Sequence, residues 1–303
     1  MDIHNLEYME PWEWPSNAAA DILRVLRDKA ASEDDRALAA SFAGDFVVIN
    51  DELAEELMAV VKDPGASAEV RARAAVAFGP ALEHSDSCDW MDEDDILVSE
   101  EVFNRMRQTL HEVYQDATVP KVVRRRALEG AVRAPEDWQE EAIRAAYASD
   151  DTEWKTTAVF GMAYVAGFDN EILDALQSRI PEVQFEAVRA AGSREVVAAW
   201  PYIAHLLDRG TRDKDLLLAA IDAAPYVNRE ESLELLSALA ISKDGEIAEA
   251  ASDAMGMAVA LRESLDEEGG WDEGEDDEEY EDEAEDEDDE DLDEDDEEDD
   301  DSF

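Results

Sequence analysis

Apolar residues recur at every third or fourth position along most of this chain, which is the spacing of one face of an α-helix. Within that spacing a shorter pattern returns: an apolar residue, an alanine four positions later, and a hydrophobic or small residue after four more. The stretch 67–79 shows it most clearly, with Val70, Ala74 and Phe78. A weaker copy begins at Asp35, and the others begin at Val123, Trp154, Val183, Leu216 and Ile247. The starts lie 29 to 35 residues apart except for one interval of 53, so the repeating unit has the length of two helices.

A second amphipathic segment precedes each copy of this pattern. In the segment 51–62, for example, Leu53, Leu57 and Val61 share one helical face. These first helices are predicted at 17–30, 51–62, 99–115, 136–148, 169–179, 195–208 and 229–242. Turn-forming residues separate the segments, and no alternating β-branched run predicts a strand. We therefore predict an all-α fold, an α-solenoid of about seven helix pairs across residues 17–262.

The alanine of the pattern explains how the two helices of a pair pack. A small side chain at that position lets the helix axes approach closely, whereas a larger one would push them apart. The segments VRARAAVAFG and VVRRRALEGAV resemble the HEAT repeat family, whose second helix begins with a Val-Arg pair followed by alanines. The copies LLLAAIDAAP and IAEAASDAMG lack the basic residue. The resemblance implies a stacked solenoid over roughly residues 17–262, but the family includes scaffolds, transport receptors and a few enzymes, so it implies no single function.

Residues 1–16 differ from the repeats because they hold Tyr8, Trp12 and Trp14 close to two prolines. Prolines at positions 11 and 15 exclude one regular helix through this segment. The first repeat of an array exposes an apolar flank that must be covered, so we interpret 1–16 as an aromatic N-terminal cap. The alternative is an aromatic surface for a peptide or for a second copy of the chain.

Two acidic segments interrupt or follow the repeats. Residues 83–98 contain six acids within ten positions, but the spacing lacks the central glycine of a calcium-binding EF-hand loop, which favours a solvated loop insertion. Residues 263–303 are almost entirely acidic, with 29 acids between 266 and 303 and no base. Such a segment cannot bury enough apolar surface to offset its chain entropy, so we predict a disordered acidic tail.

The charge of the chain limits its partners. It contains 82 acidic and 25 basic residues, a formal net charge of −57, and without the 29 tail acids the rest still carries −28. The negative electrostatic potential of such a chain repels nucleic acid and anionic lipid and attracts basic proteins. We therefore expect no direct nucleic acid binding and no membrane binding. The single cysteine, Cys88, excludes an intramolecular disulfide, and with no apolar segment of membrane-spanning length we expect a cytoplasmic protein.

The sequence contains no recognisable catalytic or cofactor motif. Its four histidines lie far apart in the repeats, and only His111 and Glu112 form a His-Glu dyad of the kind that HEAT-type iron hydroxylases use in pairs. It lacks a phosphate-binding loop, a nucleophile elbow and a paired cysteine and histidine. We therefore expect no catalytic residues, no metal, no cofactor and no small-molecule substrate, and we predict that the chain is not an enzyme.

The remaining candidate site is the groove formed by the second helices. Positions two and six of the repeating pattern lie opposite its alanine face, so they point into the concave side of the array. Here Phe160, Phe185 and Leu218 fall on consecutive units. We predict that they form an apolar stripe flanked by four acids, namely Glu129, Asp222, Glu249 and Asp253. The alternative is that the three apolar side chains only pack between neighbouring helices.

These observations favour a HEAT-type scaffold or adaptor that binds a basic protein through the groove and the acidic tail. Arg124, Arg125 and Arg126 form the one basic triplet, which pairs either with carboxylates of this chain, the tail included, or with solvent. Two other hypotheses remain open. One is a chaperone-like escort that holds basic clients with the tail alone, and the other is a HEAT-like lyase or modifying enzyme.

Overall fold

The computed structural model describes residues 2–88, 90 and 96–269, with side chains up to Glu263. That part of the chain contains fourteen α-helices and no strand. The helices in chain order are α1 (Ala18–Arg27), α2 (Glu33–Phe42), α3 (Asp51–Lys62), α4 (Ala68–Ser87), α5 (Glu100–Gln115), α6 (Lys121–Ala131), α7 (Asp137–Tyr147), α8 (Thr152–Met162), α9 (Asp169–Ala175), α10 (Pro181–Ser193), α11 (Trp200–Arg209), α12 (Lys214–Val227), α13 (Arg229–Leu239) and α14 (Gly245–Gly269).

The helices form pairs that stack in series. Each odd-numbered helix from α1 to α11 packs against the even-numbered helix that follows it. The even-numbered helices from α2 to α12 pack against one another in order, which forms a continuous layer of second helices. This arrangement confirms the predicted all-α solenoid, and its compact unit ends at Glu263.

The predicted alanine positions lie inside the array. All seven are completely buried: Ala39, Ala74, Ala127, Ala158, Ala187, Ala220 and Ala251. Glycine serves the same purpose at Gly44, two residues after the end of α2, where the chain contacts α4. A Cβ atom on Gly44 would lie 1.8 Å from the carbonyl oxygen of Ala77 in α4, so any side chain there would force the backbones apart. Small residues therefore set the spacing of the layer.

Polar side chains define where many of the helices begin. The Ser67 hydroxyl accepts a hydrogen bond from the backbone N–H of Val70 at 3.3 Å and so caps α4. Asp213 accepts one from Leu216 at 3.1 Å at the start of α12. Each bond satisfies a donor that the first turn of a helix leaves unpaired.

The N-terminal segment covers the first helix pair with only part of its aromatic side chains. It forms two 3-10 helices, Ile3–Tyr8 and Pro11–Glu13. Its Trp14 ring packs edge-on against Phe42 of α2, with ring centres 5.1 Å apart, and the indole N–H faces the carbonyl oxygens of Leu6 and Met9 at 3.3 Å. Tyr8 and Trp12 are instead 88% and 75% exposed. The cap thus relies on Trp14 and on the buried Ile3 and Leu6.

Two predicted boundaries differ from the structure. Helix α4 continues to Ser87, so the beginning of the predicted loop 83–98 is helical. Within that loop, Trp90 packs near Phe103 of α5, with ring centres 5.5 Å apart, whereas 89 and 91–95 lie outside the described residues. The predicted tail begins inside α14, which continues to Gly269, although the compact unit ends at Glu263, one residue after the predicted end of the array. The disorder predicted for 263–303 lies outside the described residues from 270 onward.

The buried apolar residues form two clusters that meet at α6. Ala127, Ala131 and Ala134 belong to the cluster on the N-terminal side, whereas Leu128 and Val132 belong to the one on the C-terminal side. Among the described residues, no helix combines the length and apolar character needed to cross a bilayer.

Candidate functional site

A groove with a cavity of about 520 Å³ opens on the layer of second helices from α4 to α12. Its lining includes six residues at positions two and six of the repeating pattern: Val76, Arg125, Glu129, Thr156, Phe160 and Phe185. These six side chains therefore face one cavity. We call this cavity the central groove.

The central groove brings together three of the seven predicted binding residues. Phe160 of α8 and Phe185 of α10 are half-buried in its wall, so they are neither core residues nor fully exposed ones. Glu129 also lines it, but this side chain is only 5% exposed and belongs to the floor of the groove instead of its rim.

The other four predicted residues lie further along the array. Leu218, Asp222 and Asp253 line a separate cavity of about 280 Å³ between α12 and α14. Glu249 is exposed on α14 and lines neither cavity. The predicted stripe is thus divided between two cavities.

The floor of the central groove is a buried polar network between α6 and α8. Arg125 donates one hydrogen bond from Nε to the Thr157 hydroxyl and another from Nη1 to Glu153, both at 2.9 Å. The Thr157 hydroxyl donates to Glu129 at 2.6 Å, and Arg126 pairs with the other oxygen of that carboxylate. Arg125 is itself only 8% exposed, and its charge is compensated by the buried Glu129 and the exposed Glu153.

Glu186 of α10 also lines the central groove, and its side chain is 17% exposed. Burial raises the pKa of this carboxyl, and the negative charge of Glu129 raises it further, against the opposing effect of Arg189. The Arg189 guanidinium lies 3.2 Å from the carboxylate. A carboxyl that holds its proton more tightly than usual, in a cavity, can act as a proton donor or acceptor.

Arg133 lies where the central groove meets a second cavity. This neighbouring cavity of about 450 Å³ is formed by the N-terminal cap, α2 and α4, and it shares Val76 and Arg133 with the central groove. The Arg133 guanidinium lies 5.1 Å from the centre of the Tyr164 ring and 5.8 Å from that of Phe160, which are cation–π distances. Its Nη1 donates to Glu83 at 2.6 Å.

The basic triplet pairs within the described chain. Arg125 and Arg126 both contact Glu129, as described above. Arg124 points away from them, where its Nε donates to the carbonyl oxygen of Tyr114 at 2.7 Å and its guanidinium lies over the Tyr114 and Trp154 rings. Two of the three arginines therefore belong to the groove.

Sequence reasoning missed Arg126, Arg133 and Glu186. Arg126 and Glu186 occupy position three of the pattern, which lies about 60° around the helix from position six, so a wider face would have included both. Arg133 follows the end of α6 and has no position in the repeat.

The histidine of the one His-Glu dyad, His111, stacks on Trp138 with ring centres 4.3 Å apart. No group of three metal-ligating side chains occurs among the described residues.

Comparison with known proteins shows similarity only to solved structures. No family model matches the chain, and no curated protein matches it. One similar structure is human deoxyhypusine hydroxylase in complex with glycerol, at 16% identity and a TM-score of 0.39, covering 85% of this chain and 88% of that one. Another is an engineered protein, at 17% identity and a TM-score of 0.35, covering 80% of this chain and 97% of that one.

The first of these comparisons corrects one expectation. The sequence predicted that the chain is not an enzyme, whereas a solved chain to which it is similar is an enzyme, so the non-enzymatic prediction is withdrawn. At this identity and TM-score, the similarity does not transfer the activity of that enzyme to this chain.

Proposed function

We propose that the central groove binds a basic, amphipathic segment of another protein, as the resemblance to HEAT repeats allows. The observation that carries the proposal is that Phe160 and Phe185, which also pack against the C-terminal apolar cluster, both stay partly exposed in one cavity of about 520 Å³. Burial of such side chains by a partner is favourable because it removes apolar surface from water. A groove with apolar side chains between polar rims is a common docking site for a helix or an extended peptide.

The charges around the groove favour a basic occupant. Its α10 and α12 side presents three exposed acids, Glu182, Asp213 and Asp215. Asp222 and Asp253 continue the acidic surface at the next cavity. A segment with apolar residues on Phe160 and Phe185 and lysine or arginine toward α12 therefore complements the surface, and the net charge of −57 would speed its approach at low salt.

The test is site-specific photo-crosslinking in cells of the source organism. A photoreactive phenylalanine analogue replaces Phe185, and crosslinked peptides are sequenced by mass spectrometry. We expect a basic amphipathic segment, and we expect the double variant Asp213→Asn with Asp215→Asn to reduce its yield several-fold. The same analogue at Val197, which is 67% exposed and lines none of these cavities, is the control.

The outcome separates this proposal from the escort hypothesis. If the tail alone holds basic clients, the Asp213 and Asp215 variants leave client capture unchanged, and crosslinks from position 185 do not exceed those from position 197. That result would contradict binding in the groove.

A second candidate function is a HEAT-like modifying enzyme that acts on a segment held in the same groove. It is favoured by Glu186, whose pKa is raised by burial in the central groove. The test compares the mass of the captured segment after incubation with the wild-type protein and with Glu186→Gln. A mass change that Glu186→Gln abolishes, with crosslinking at position 185 retained, would support catalysis; an unchanged mass with the wild type would exclude modification of that segment.

A further inference from the structure

Arg133 is an unusual side chain in this acidic molecule because it is held in a groove by two rings and one acid. Its guanidinium lies over Tyr164 and Phe160, and its one ion pair is with Glu83, which is 52% exposed. Its Nε is buried and has no hydrogen-bond partner among the described residues. The guanidinium of Arg133 therefore keeps at least one N–H donor that the described residues leave without an acceptor.

Helix α4 leaves a space for this guanidinium at Gly79. A Cβ atom at that position would lie 2.6 Å from Cδ and 2.8 Å from Nε of Arg133, which is closer than atoms of a real side chain approach. Glycine inside a helix is less stabilising than alanine. Because Gly79 has no Cβ atom, the Arg133 side chain has room to pass between α4 and the Tyr164 ring into the groove.

A second cation lies on the same wall. Arg126 is 46% exposed, lines the central groove with Arg133, and pairs with the buried Glu129. The opposite wall carries Glu182, Asp213 and Asp215. The groove is therefore lined by ion-paired arginines on the side of α6, by Phe160 and Phe185, and by exposed acids on the side of α12.

We propose that the α6 wall binds an oxyanion, a carboxylate or a phosphate group of the segment that occupies the groove, with Arg133 as its main contact and Arg126 as its second. This inference rests on the proposed function, and it makes the bound segment dipolar, with an anionic group toward α6 and basic residues toward α12. An arginine that rings hold in place presents its donors in a fixed fork, which suits either anion.

The test uses small anions in place of the unidentified segment. The Nε–H signals of arginine side chains are followed by NMR while the full-length protein is titrated with succinate, with inorganic phosphate, or with chloride at equal ionic strength. We expect the Arg133 and Arg126 signals to shift in a saturable way with succinate or phosphate and not with chloride. The anion with the larger effect identifies the group as a carboxylate or a phosphate.

Arg144 is the matched control, since it also lies over a ring, that of Phe168 at 4.7 Å, and pairs with Glu140 and Glu171 outside the groove. Its signal should stay unchanged. Arg133→Met should abolish the saturable shift of Arg126, and Arg144→Met should not. The inference would be overturned if neither anion changed the Arg133 signal. It would also be overturned if the Arg144 signal changed as much as the Arg133 signal. Since no partner protein is present, this result is independent of the crosslinking test.

Discussion

Single residues of the groove carry charges that the fold has partly removed from water. Arg125 and Glu129 pair with each other, and both hydrogen-bond to Thr157, within one buried network. Glu186 differs because burial is the largest influence on its carboxyl and raises the pKa. The ionised form of Glu186 therefore destabilises the folded state relative to the protonated form.

We predict that Glu186→Gln stabilises the protein at neutral pH and that this gain disappears in acid. A carboxyl whose pKa is higher in the folded state binds its proton more tightly there, so its favourable contribution exists at low pH and is lost as pH rises through the folded-state pKa. Glutamine has the same shape and no charge. The measurement is the free energy of unfolding by urea, for both proteins, between neutral pH and about pH 4, where an ordinary glutamate titrates.

Glu182→Gln is the control for this prediction, because Glu182 is exposed on the same helix and lines the same groove. It should change the free energy of unfolding by no more than about 0.5 kcal/mol at any pH. An equal effect of the two substitutions, or a gain for Glu186→Gln that grows in acid, would contradict the role of burial at Glu186.

At the scale of elements, the N-terminal cap shows how unequal neighbouring aromatic side chains are. Trp14 packs against Phe42, whereas Trp12, two residues away, is 75% exposed. We predict that Trp14→Ala lowers the free energy of unfolding by about 2–4 kcal/mol, since it removes a large, partly buried side chain. Trp12→Ala should cost no more than about 0.5 kcal/mol. Thermal and urea denaturation of both variants would check this, and a similar loss for Trp12→Ala would show that both rings cover the array.

Helices could be predicted from the sequence more fully than contacts between them. The periodic alanines and the spacing of apolar residues specify fourteen helices, because helical geometry converts sequence spacing directly into a face. The burial of Glu129 could not be predicted, since it depends on Thr157 and Arg125 meeting across the contact of two helices. The burial of the cap residues could not be predicted either. The 3-10 turns around the prolines are too short to show a periodic apolar face, so the sequence does not indicate that Trp14 packs on the array and Trp12 does not.

At the scale of the whole array, the apolar core is not uniform. It consists of the two clusters that meet at α6. The second helices from α2 to α12 contact one another in order, and the contact between α6 and α8 is the least extensive of these. The polar residues of the groove floor, Arg125, Glu129 and Thr157, form hydrogen bonds across that contact. A repeat array unfolds in units set by the strength of its internal contacts, so the boundary between two cooperative units should lie there.

We predict that the two halves of the array unfold separately, and that a core substitution in one half leaves the other unchanged. Leu57 and Ile203 are completely buried, in the N-terminal and C-terminal clusters respectively. Leu57→Ala should lower the opening free energy of amides in α2 and α4 by about 2–5 kcal/mol and leave those in α10 and α12 as they are. Ile203→Ala should do the reverse, so each variant is the control for the other. Native-state hydrogen exchange measures both, and a loss of equal size in both halves for either variant would mean that the polar contact between α6 and α8 couples the array into a single cooperative unit.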